Sequence, residues 1–195
     1  MRIGKQFRAT DSQECSERGS MLIELMIAMI VLAIGLGGIF TLLAASMCTN
    51  AKAGNDTTST MLAEHVMEQI SAQPANSSAP LTIIDCAGTA QNINTAGLAI
   101  GAGSGGANGG NGANLTANNI VDWTQSYADV PDGYKMQYVA CGAGSRQTTY
   151  DVRWDVITVT PYSRVILVSA RPSMSASVGG LRFVMPVNLR TIGGM

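Results

Sequence analysis

The longest apolar run of the chain lies near its amino terminus, and an acidic residue stands directly before it. From Leu25 to Met47, 23 consecutive residues carry no charge, and Glu24 precedes them. A helix of that length extends about 35 Å, which is enough to cross the hydrocarbon core of a bilayer. A carboxylate in hydrocarbon costs roughly 2.5–3.5 kcal/mol on insertion scales. The pattern predicts a membrane-spanning helix, and the position of Glu24 requires a functional reason.

A second helical pattern follows in a more polar region. Its apolar residues recur at intervals of three and four, the spacing of one face of an amphipathic helix, at Met61, Leu62, Val66 and Ile70. Pro74 cannot continue a helix, so the helix is expected to end at about residue 72 or 73. We predict one long helix over residues 20–73, with about 21–47 in the membrane, followed by a β-rich head over residues 74–195.

Alternating apolar and polar residues predict strands in this head. The predicted strands are Leu81–Asp85, Tyr134–Cys141, Thr149–Thr160, Ser163–Ala170 and Leu181–Arg190. In the last of them, one face is expected to carry Leu181, Phe183, Met185, Val187 and Leu189. Pro186 favours an edge strand or a bulge at that point. The expected fold class is α+β, with the long helix packed on a small antiparallel sheet of about four strands.

The strand Thr149–Thr160 has the clearest alternation. Tyr150, Val152, Trp154 and Val156 alternate with Asp151, Arg153 and Asp155. This pattern is typical of an antiparallel sheet that packs on one face and meets water on the other. We therefore expect the two aspartates and the arginine of this strand to be solvated.

Between these elements lies a segment rich in small and polar residues, from Gly88 to Asn119. Its central part, residues 101–114, contains too few apolar groups to order itself by burial, so we expect a surface loop. A short helix is predicted next, over Asn119–Ala128, because Ile120, Trp123 and Tyr127 have helical spacing. A turn at residues 131–133 closes it.

Charge and cysteine content locate the head and limit its partners. Four basic residues, Arg2, Lys5, Arg8 and Arg18, precede the apolar run, whereas Lys52 alone closely follows it. This asymmetry predicts a cytoplasmic amino terminus and an exported head. In an oxidising compartment Cys86 and Cys141 are expected to pair, with two buried free thiols as the alternative; Cys15 and Cys48 are expected to stay unpaired.

Three kinds of membrane segment agree with these features in part. A cleaved signal peptide requires a shorter apolar core than this one, although Ala44–Ser46 has the small residues of a cleavage site. A lipoprotein signal ending at Cys48 has Met47 where a small residue is needed. A plain single-pass anchor is the second possibility, with Glu24 close enough to the interface to reach water.

The third possibility accounts for the acid. The sequence Gly19-Ser20-Met21-Leu22-Ile23-Glu24, preceded by a short basic leader and followed by the apolar helix, resembles the prepilin signal of type IV pilins and type II secretion pseudopilins. The helix is most similar to that of minor pilins of the V type, the type IV pilus modification proteins. Ser20 stands where phenylalanine is commoner in the family, and Thr41 stands where many major pilins have proline.

The resemblance implies a role for three residues and a set of partners. A prepilin peptidase would cut between Gly19 and Ser20, so that residues 1–19 are a cleaved leader and Ser20 becomes the N-methylated terminus. Glu24 would then pair with the new terminus of a neighbouring pilin subunit during assembly on the pilus platform. The implied location is the bacterial inner membrane, with a periplasmic head, and later the pilus. The alternatives within this fold are a type II secretion pseudopilin and a competence pilin that takes up DNA.

The remaining residues indicate no enzyme. His65 is the only histidine, and it lies beside acids on the polar side of the amphipathic helix, where a solvated side chain is expected. The cysteine spacings fit no zinc pattern. We therefore expect no catalytic residue, metal, cofactor or small-molecule substrate. The net charge of −1 and the pI near 5.7 do not indicate a basic surface that would bind nucleic acid.

The arginines of the head are the one exception to this weak charge. Five of them alternate through the last three predicted strands: Arg153, Arg164, Arg171, Arg182 and Arg190. Scattered solvated charges on one face of the sheet are favoured over a patch for DNA or another anionic surface.

Overall fold

The computed structural model describes residues 14–142, 147–173 and 185–194 of the 195-residue chain. Within these ranges one helix is followed by seven strands, namely α1 (Glu14–Ser71), β1 (Leu81–Ile84), β2 (Ala90–Ile93), β3 (Asn111–Gly112), β4 (Lys135–Cys141), β5 (Gln147–Thr160), β6 (Ser163–Pro172) and β7 (Val187–Gly193). The chain divides into two compact units, residues 1–51 and residues 52–195. The second unit contains the predicted head, residues 74–195, together with the last turns of α1. From here on, the word head means this whole unit, residues 52–195.

The amino-terminal unit is helical throughout its described part. The helix begins at Glu14, six residues before the predicted start at Ser20, and it continues through Gly19. Residues 21–51 are all exposed. The predicted end at residue 72 or 73 is close to the observed end at Ser71.

In the head, the end of α1 and a five-stranded antiparallel sheet share one apolar core, so the layout is α+β, as predicted. Leu62, Val66 and Ile70 are buried in the same cluster as Val152 and Trp154 of β5, while Met61 is 64% exposed and its predicted place in the apolar stripe is wrong. The phenol of Tyr150 donates to Asn55 Oδ1 at 3.4 Å, so the even-numbered residues of β5 face the helix.

β5 is the central strand of this sheet. Its one edge pairs with β6, which in turn pairs with β7. Its other edge pairs with β4 along Gln147–Arg153 and with the short β3 at Asp155 and Val156. β1 and β2 form a separate hairpin. β7 starts at Val187, and Leu181 and Phe183 of the predicted strand lie outside the described residues.

The second face of the sheet is covered rather than wet, which corrects the prediction for Asp151, Arg153 and Asp155. These three side chains are 6%, 1% and 0% exposed. Residues 94–133 lie over them: Gly110 N–H donates to Asp155, and Arg153 donates to the carbonyl of Gln125. Polar alternation does indicate a strand, but a layer rich in backbone donors and acceptors can cover a polar face as well as water can.

The glycine-rich segment has defined structure, so the expectation that residues 101–114 cannot order themselves is wrong. Backbone hydrogen bonds close it on itself, from Gly101 to Gly109, from Gly105 to Gly110 and from Leu115 to Gly105. At Gly112, where φ is +142°, an added Cβ would collide with the carbonyl oxygen of Trp154. Glycine therefore lets this backbone lie directly on β5, and hydrogen bonding supplies the order that apolar burial does not.

The predicted helix over Asn119–Ala128 is also absent, because this stretch forms turns. Asp122 Oδ1 accepts a hydrogen bond from Thr124 N–H at 2.9 Å, and Ser126 Oγ accepts one from Ala128 N–H at 3.2 Å. Such local bonds from Asp and Ser side chains compete with helical backbone bonds. The turn at residues 131–133 is confirmed: Tyr134 N–H donates to the carbonyl of Pro131, and Gly133 has φ of +82°.

Cys86 and Cys141 form a disulfide, as predicted, and the alternative of two free thiols is wrong. The bond joins the β1–β2 hairpin to the end of β4, where Cys86 N–H also donates to the carbonyl of Val139. Cys48 is exposed and free.

Candidate functional site

The residues predicted for processing and assembly, Gly19, Ser20 and Glu24, all lie in α1. Positions 20 and 24 are one helical turn apart, with a rise of about 6 Å between them, so they share a face of the helix. Glu24 is exposed. The acid and the residue that would become the amino terminus therefore lie on the same side of α1.

The helix around Glu24 is long and apolar enough to cross a membrane. None of its most apolar 18-residue window is buried, and the exposed fraction is 61% for Leu25, 71% for Ile34 and 68% for Phe40. An apolar surface of this extent requires lipid or another apolar helix to cover it.

A first buried polar group of the head is centred on Arg153. Its guanidinium contacts Asp151 Oδ2 at 2.8 Å and donates to the carbonyl of Gln125 at 2.7 Å. Its Cζ lies 4.5 Å from the ring centroid of Trp123 and 5.7 Å from that of Tyr127. A buried charge is tolerated when it is paired and hydrogen-bonded, and this one also stacks on two aromatic rings. The group attaches residues 123–127 to β5.

A second buried arginine, Arg164 at the start of β6, binds the end of α1. It is 0% exposed and donates to the carbonyls of Ile70, Gln73 and Thr95, at 2.7 Å for Gln73 and 3.0 Å for Thr95. The last carbonyls of a helix have no partner within the helix and carry partial negative charge. Burial lowers the pKa of Arg164 from its usual value. This side chain joins the helix, the sheet and the segment after β2 at one point.

The third buried group is Asp155. Its Oδ1 accepts a hydrogen bond from Gly110 N–H at 2.9 Å, while Oδ2 has no hydrogen-bond partner among the described residues. Burial, opposed by the hydrogen bond from Gly110, raises the pKa of Asp155 to about 6. Burial and the nearby Asp155 carboxylate also raise the pKa of Tyr134, to about 12.

These positions correct the predicted face of solvated arginines. Arg153 and Arg164 are buried on opposite faces of the sheet, and Arg171 stacks on Trp123 with its Cζ 4.1 Å from the ring centroid. Arg190 is exposed, and Arg182 lies outside the described residues. The described arginines therefore do not form a continuous basic patch.

Other candidate chemistry is sparse in the described part of the chain. His65 is exposed on α1, as predicted, between the exposed Glu64 and Glu68. No group of three or more His, Cys, Asp or Glu side chains there is arranged to hold a metal ion. A shallow cleft of about 230 Å³ lies between residues 118–121 and the strands β6 and β7, and Arg190 is its one ionisable lining residue.

Sequence reasoning did not identify Asp155 and Arg164 as buried groups. The sequence did contain a signal for the burial of Asp155. The stretch from Ala87 to Val121 has no ionisable side chain, so it can pack over a strand and exclude water from a carboxylate. The sequence contained no such signal for Arg164, because an arginine near the start of a strand is ordinarily solvated.

No protein-family model, curated protein or solved structure matches this chain.

Proposed function

We propose that the chain is a minor pilin of a type IV pilus, inserted in the inner membrane, processed after Gly19 and assembled through its amino-terminal helix. The observation that carries this proposal is Glu24, an exposed acid at the start of a membrane-length apolar helix, one turn after the prepilin-like junction Gly19-Ser20. The head supports it with an α+β layout in which the sheet packs on the last turns of the same helix.

The acid has a physical role in such an assembly. Cleavage after Gly19 creates an ammonium group at Ser20, and in a bundle of like helices this cation meets the Glu24 carboxylate of a neighbouring subunit. A carboxylate that is unfavourable alone in hydrocarbon is then paired, and the attraction is stronger in that low dielectric than in water. Because the pair forms at one axial offset only, it also favours one register between helices.

The proposed partners follow from this role: the inner membrane, a prepilin peptidase, other pilin subunits and the assembly platform of the pilus. The head would lie in the periplasm and later on the pilus. The disulfide between Cys86 and Cys141 supports an oxidising compartment for the head. Arg153 and Arg164 are buried on opposite faces of the sheet, so neither supplies a surface cation for DNA uptake.

The first test is the amino terminus of the protein made by its native host. We expect mass spectrometry of the amino-terminal peptide to show a chain that begins at N-methylated Ser20. Gly19→Trp, which blocks a junction that requires a small residue, is expected to leave the leader attached. Recovery of wild-type protein with an intact Met1, or with a start near Met47, would contradict the proposal.

The second test separates processing from assembly. Glu24→Gln keeps the shape of the side chain and removes its charge, so membrane insertion and cleavage should be normal, while incorporation into sheared pili should fall about tenfold or more. Glu68→Gln, on an exposed part of α1 in the head, is the matched control and should assemble normally. Normal incorporation of Glu24→Gln would rule out the pairing role.

Deletion of the gene distinguishes the alternative function. If the chain is a secretion pseudopilin, the deletion strain should retain its exoproteins in the cell and still make normal pili.

A further inference from the structure

The glycine-rich segment and Asp155 together form a device that the proposed function does not use. Residues 98–115, called the clasp here, lie along β5 through two contacts with its backbone and one with a side chain. Leu98 exchanges backbone hydrogen bonds with Val156 and Thr158, at 3.3 and 2.8 Å, and Asn111 and Gly112 pair with β5 as β3. The side-chain contact is the hydrogen bond from Gly110 N–H to Asp155.

Asp155 is enclosed by this contact. Its side chain is 0% exposed, and Oδ2 has no hydrogen-bond donor within reach among the described residues. The backbone of Gly105 lies against Oδ2 so closely that a Cβ at residue 105 would overlap the carboxylate. An ionised carboxylate that has lost its water and accepts a single hydrogen bond is unfavourable, whereas a neutral carboxyl group is tolerated far better.

No compensating charge comes from the clasp itself. Residues 87–121 include no Asp, Glu, Lys, Arg, His, Tyr or Cys. Opposite Asp155 across the strands lie Gly112 of β3 and Leu167 of β6, which are also uncharged.

The nearest ionisable groups are engaged elsewhere or stay neutral. Tyr134 hydrogen-bonds to Asn111 and Ala96 and keeps its proton near neutral pH, because its pKa is raised to about 12. Arg153, two residues away on β5, is bound to Asp151. Lys135, opposite Arg153 on β4, contacts Asp132, and Arg190 lies two strands from Asp155, beyond Leu167, and is exposed.

We propose that the clasp is a proton-controlled surface element, which is closed firmly while Asp155 carries a proton and opens more often once Asp155 is ionised. In the closed state the clasp covers the face of β5 that carries Asp155. It also holds Leu98 and Ile100 at the surface, where they are 42% and 65% exposed. In the open state the carboxylate regains water and the face of β5 around Asp155 is uncovered. The head thereby responds to acidification of its surroundings by tightening one surface.

The direction and size of the effect follow from proton linkage. The closed form holds its proton up to a pKa of about 6, and the open form has the ordinary value of 3.8. Between these values the open form binds fewer protons, so a rise in pH favours opening, and above them the effect is constant. The opening equilibrium should therefore rise about tenfold from pH 5 to pH 7.5.

Hydrogen exchange of the full-length protein in detergent micelles, followed by mass spectrometry, tests this proposal. After correction for intrinsic exchange rates, peptides covering residues 98–115 should exchange about tenfold faster at pH 7.5 than at pH 5. At each pH they should also exchange faster than peptides covering β6, which exchange through global unfolding. Clasp peptides that exchange only as fast as β6 would overturn the proposal, because opening would then be global.

Two variants complete the test. Asp155→Asn keeps an acceptor for Gly110 N–H and cannot ionise, so exchange of the clasp should lose its dependence on pH. Asp132→Asn is the matched control, because that side chain is 98% exposed, and it should retain the wild-type profile. If Asp155→Asn does not fold, the wild-type profile alone decides: corrected exchange of residues 98–115 that is independent of pH between 5 and 7.5 overturns the proposal.

Discussion

Replacement of Arg164 by methionine is expected to lower the free energy of unfolding of the head by about 3 kcal/mol. Methionine fills a similar volume, but the carbonyls of Ile70, Gln73 and Thr95 would lose the donor that binds all three. The Ile70 carbonyl would still accept a hydrogen bond from Gln73 N–H, but the carbonyls of Gln73 and Thr95 have no other donor among the described residues. A buried acceptor that is left without a donor costs about 1–3 kcal/mol. The melting temperature should fall by about 10 °C.

Tryptophan fluorescence during urea or thermal unfolding measures this effect in the full-length protein. Both tryptophans, Trp123 and Trp154, lie in the head, so the signal does not report on the membrane-length helix. Arg164→Lys keeps the charge but not the planar set of donors, and it should recover only part of the loss.

Arg190→Met is the matched control for this experiment. Arg190 is exposed on β7, and its replacement should change the free energy of unfolding by no more than about 0.5 kcal/mol. A head that unfolds within 1 kcal/mol of wild type after Arg164→Met would show that the three carbonyls find water instead, and that the arginine does not join the helix to the sheet.

The second large effect is expected at Gly105. Gly105→Ala places a methyl group on Asp155 Oδ2 and 3.0 Å from the Cα of Gly109. The carboxylate cannot move aside without losing its hydrogen bond to Gly110, and overpacking of a closed site costs typically 1–3 kcal/mol. We expect a loss of about 3 kcal/mol in the free energy of unfolding.

A double-mutant cycle identifies the cause of that loss. In an Asp155→Ala background the added methyl has room toward the former carboxylate, so Gly105→Ala should cost at least 1 kcal/mol less there than in the wild type. Equal costs in both backgrounds would place the clash with the backbone of Gly109 and not with Asp155. Gly54→Ala, in an exposed part of α1 with no atom near the added methyl, is the control and should be stabilising by up to about 1 kcal/mol.

Local sequence patterns predicted the elements of this fold well where the pattern depends on the chain alone. Leu25–Met47 required a helix of membrane length, and the alternation in β5 required a strand. Pro74 marked the end of α1 within three residues of Ser71. The disulfide between Cys86 and Cys141 was predicted from the charge asymmetry around the apolar run, which indicates an oxidising compartment for the head.

Failures occurred where one segment covers another. The alternation of Asp151, Arg153 and Asp155 is the same whether water or residues 94–133 lie above it, so the sequence of β5 does not distinguish a wet face from a covered one. The glycine-rich segment has few apolar side chains, but its order comes from backbone hydrogen bonds to itself and to β5, which composition does not reveal. The failure at residues 119–128 had a different, local cause: the side chains of Asp122 and Ser126 accept hydrogen bonds from nearby N–H groups, and these bonds favour turns over a helix.

The sequence by itself determined the candidate assembly site, since Gly19, Ser20, Glu24 and the apolar run are adjacent in the chain and their spacing on a helix follows from its geometry. Only the tertiary structure decided the state of the charged residues in the head. Whether Arg164 is a solvated cation or a helix cap, and whether Asp155 titrates near 4 or near 6, depends on groups 45 to 94 positions away that fold over them and exclude water. Solvation is a property of the packed molecule, and no local pattern records it.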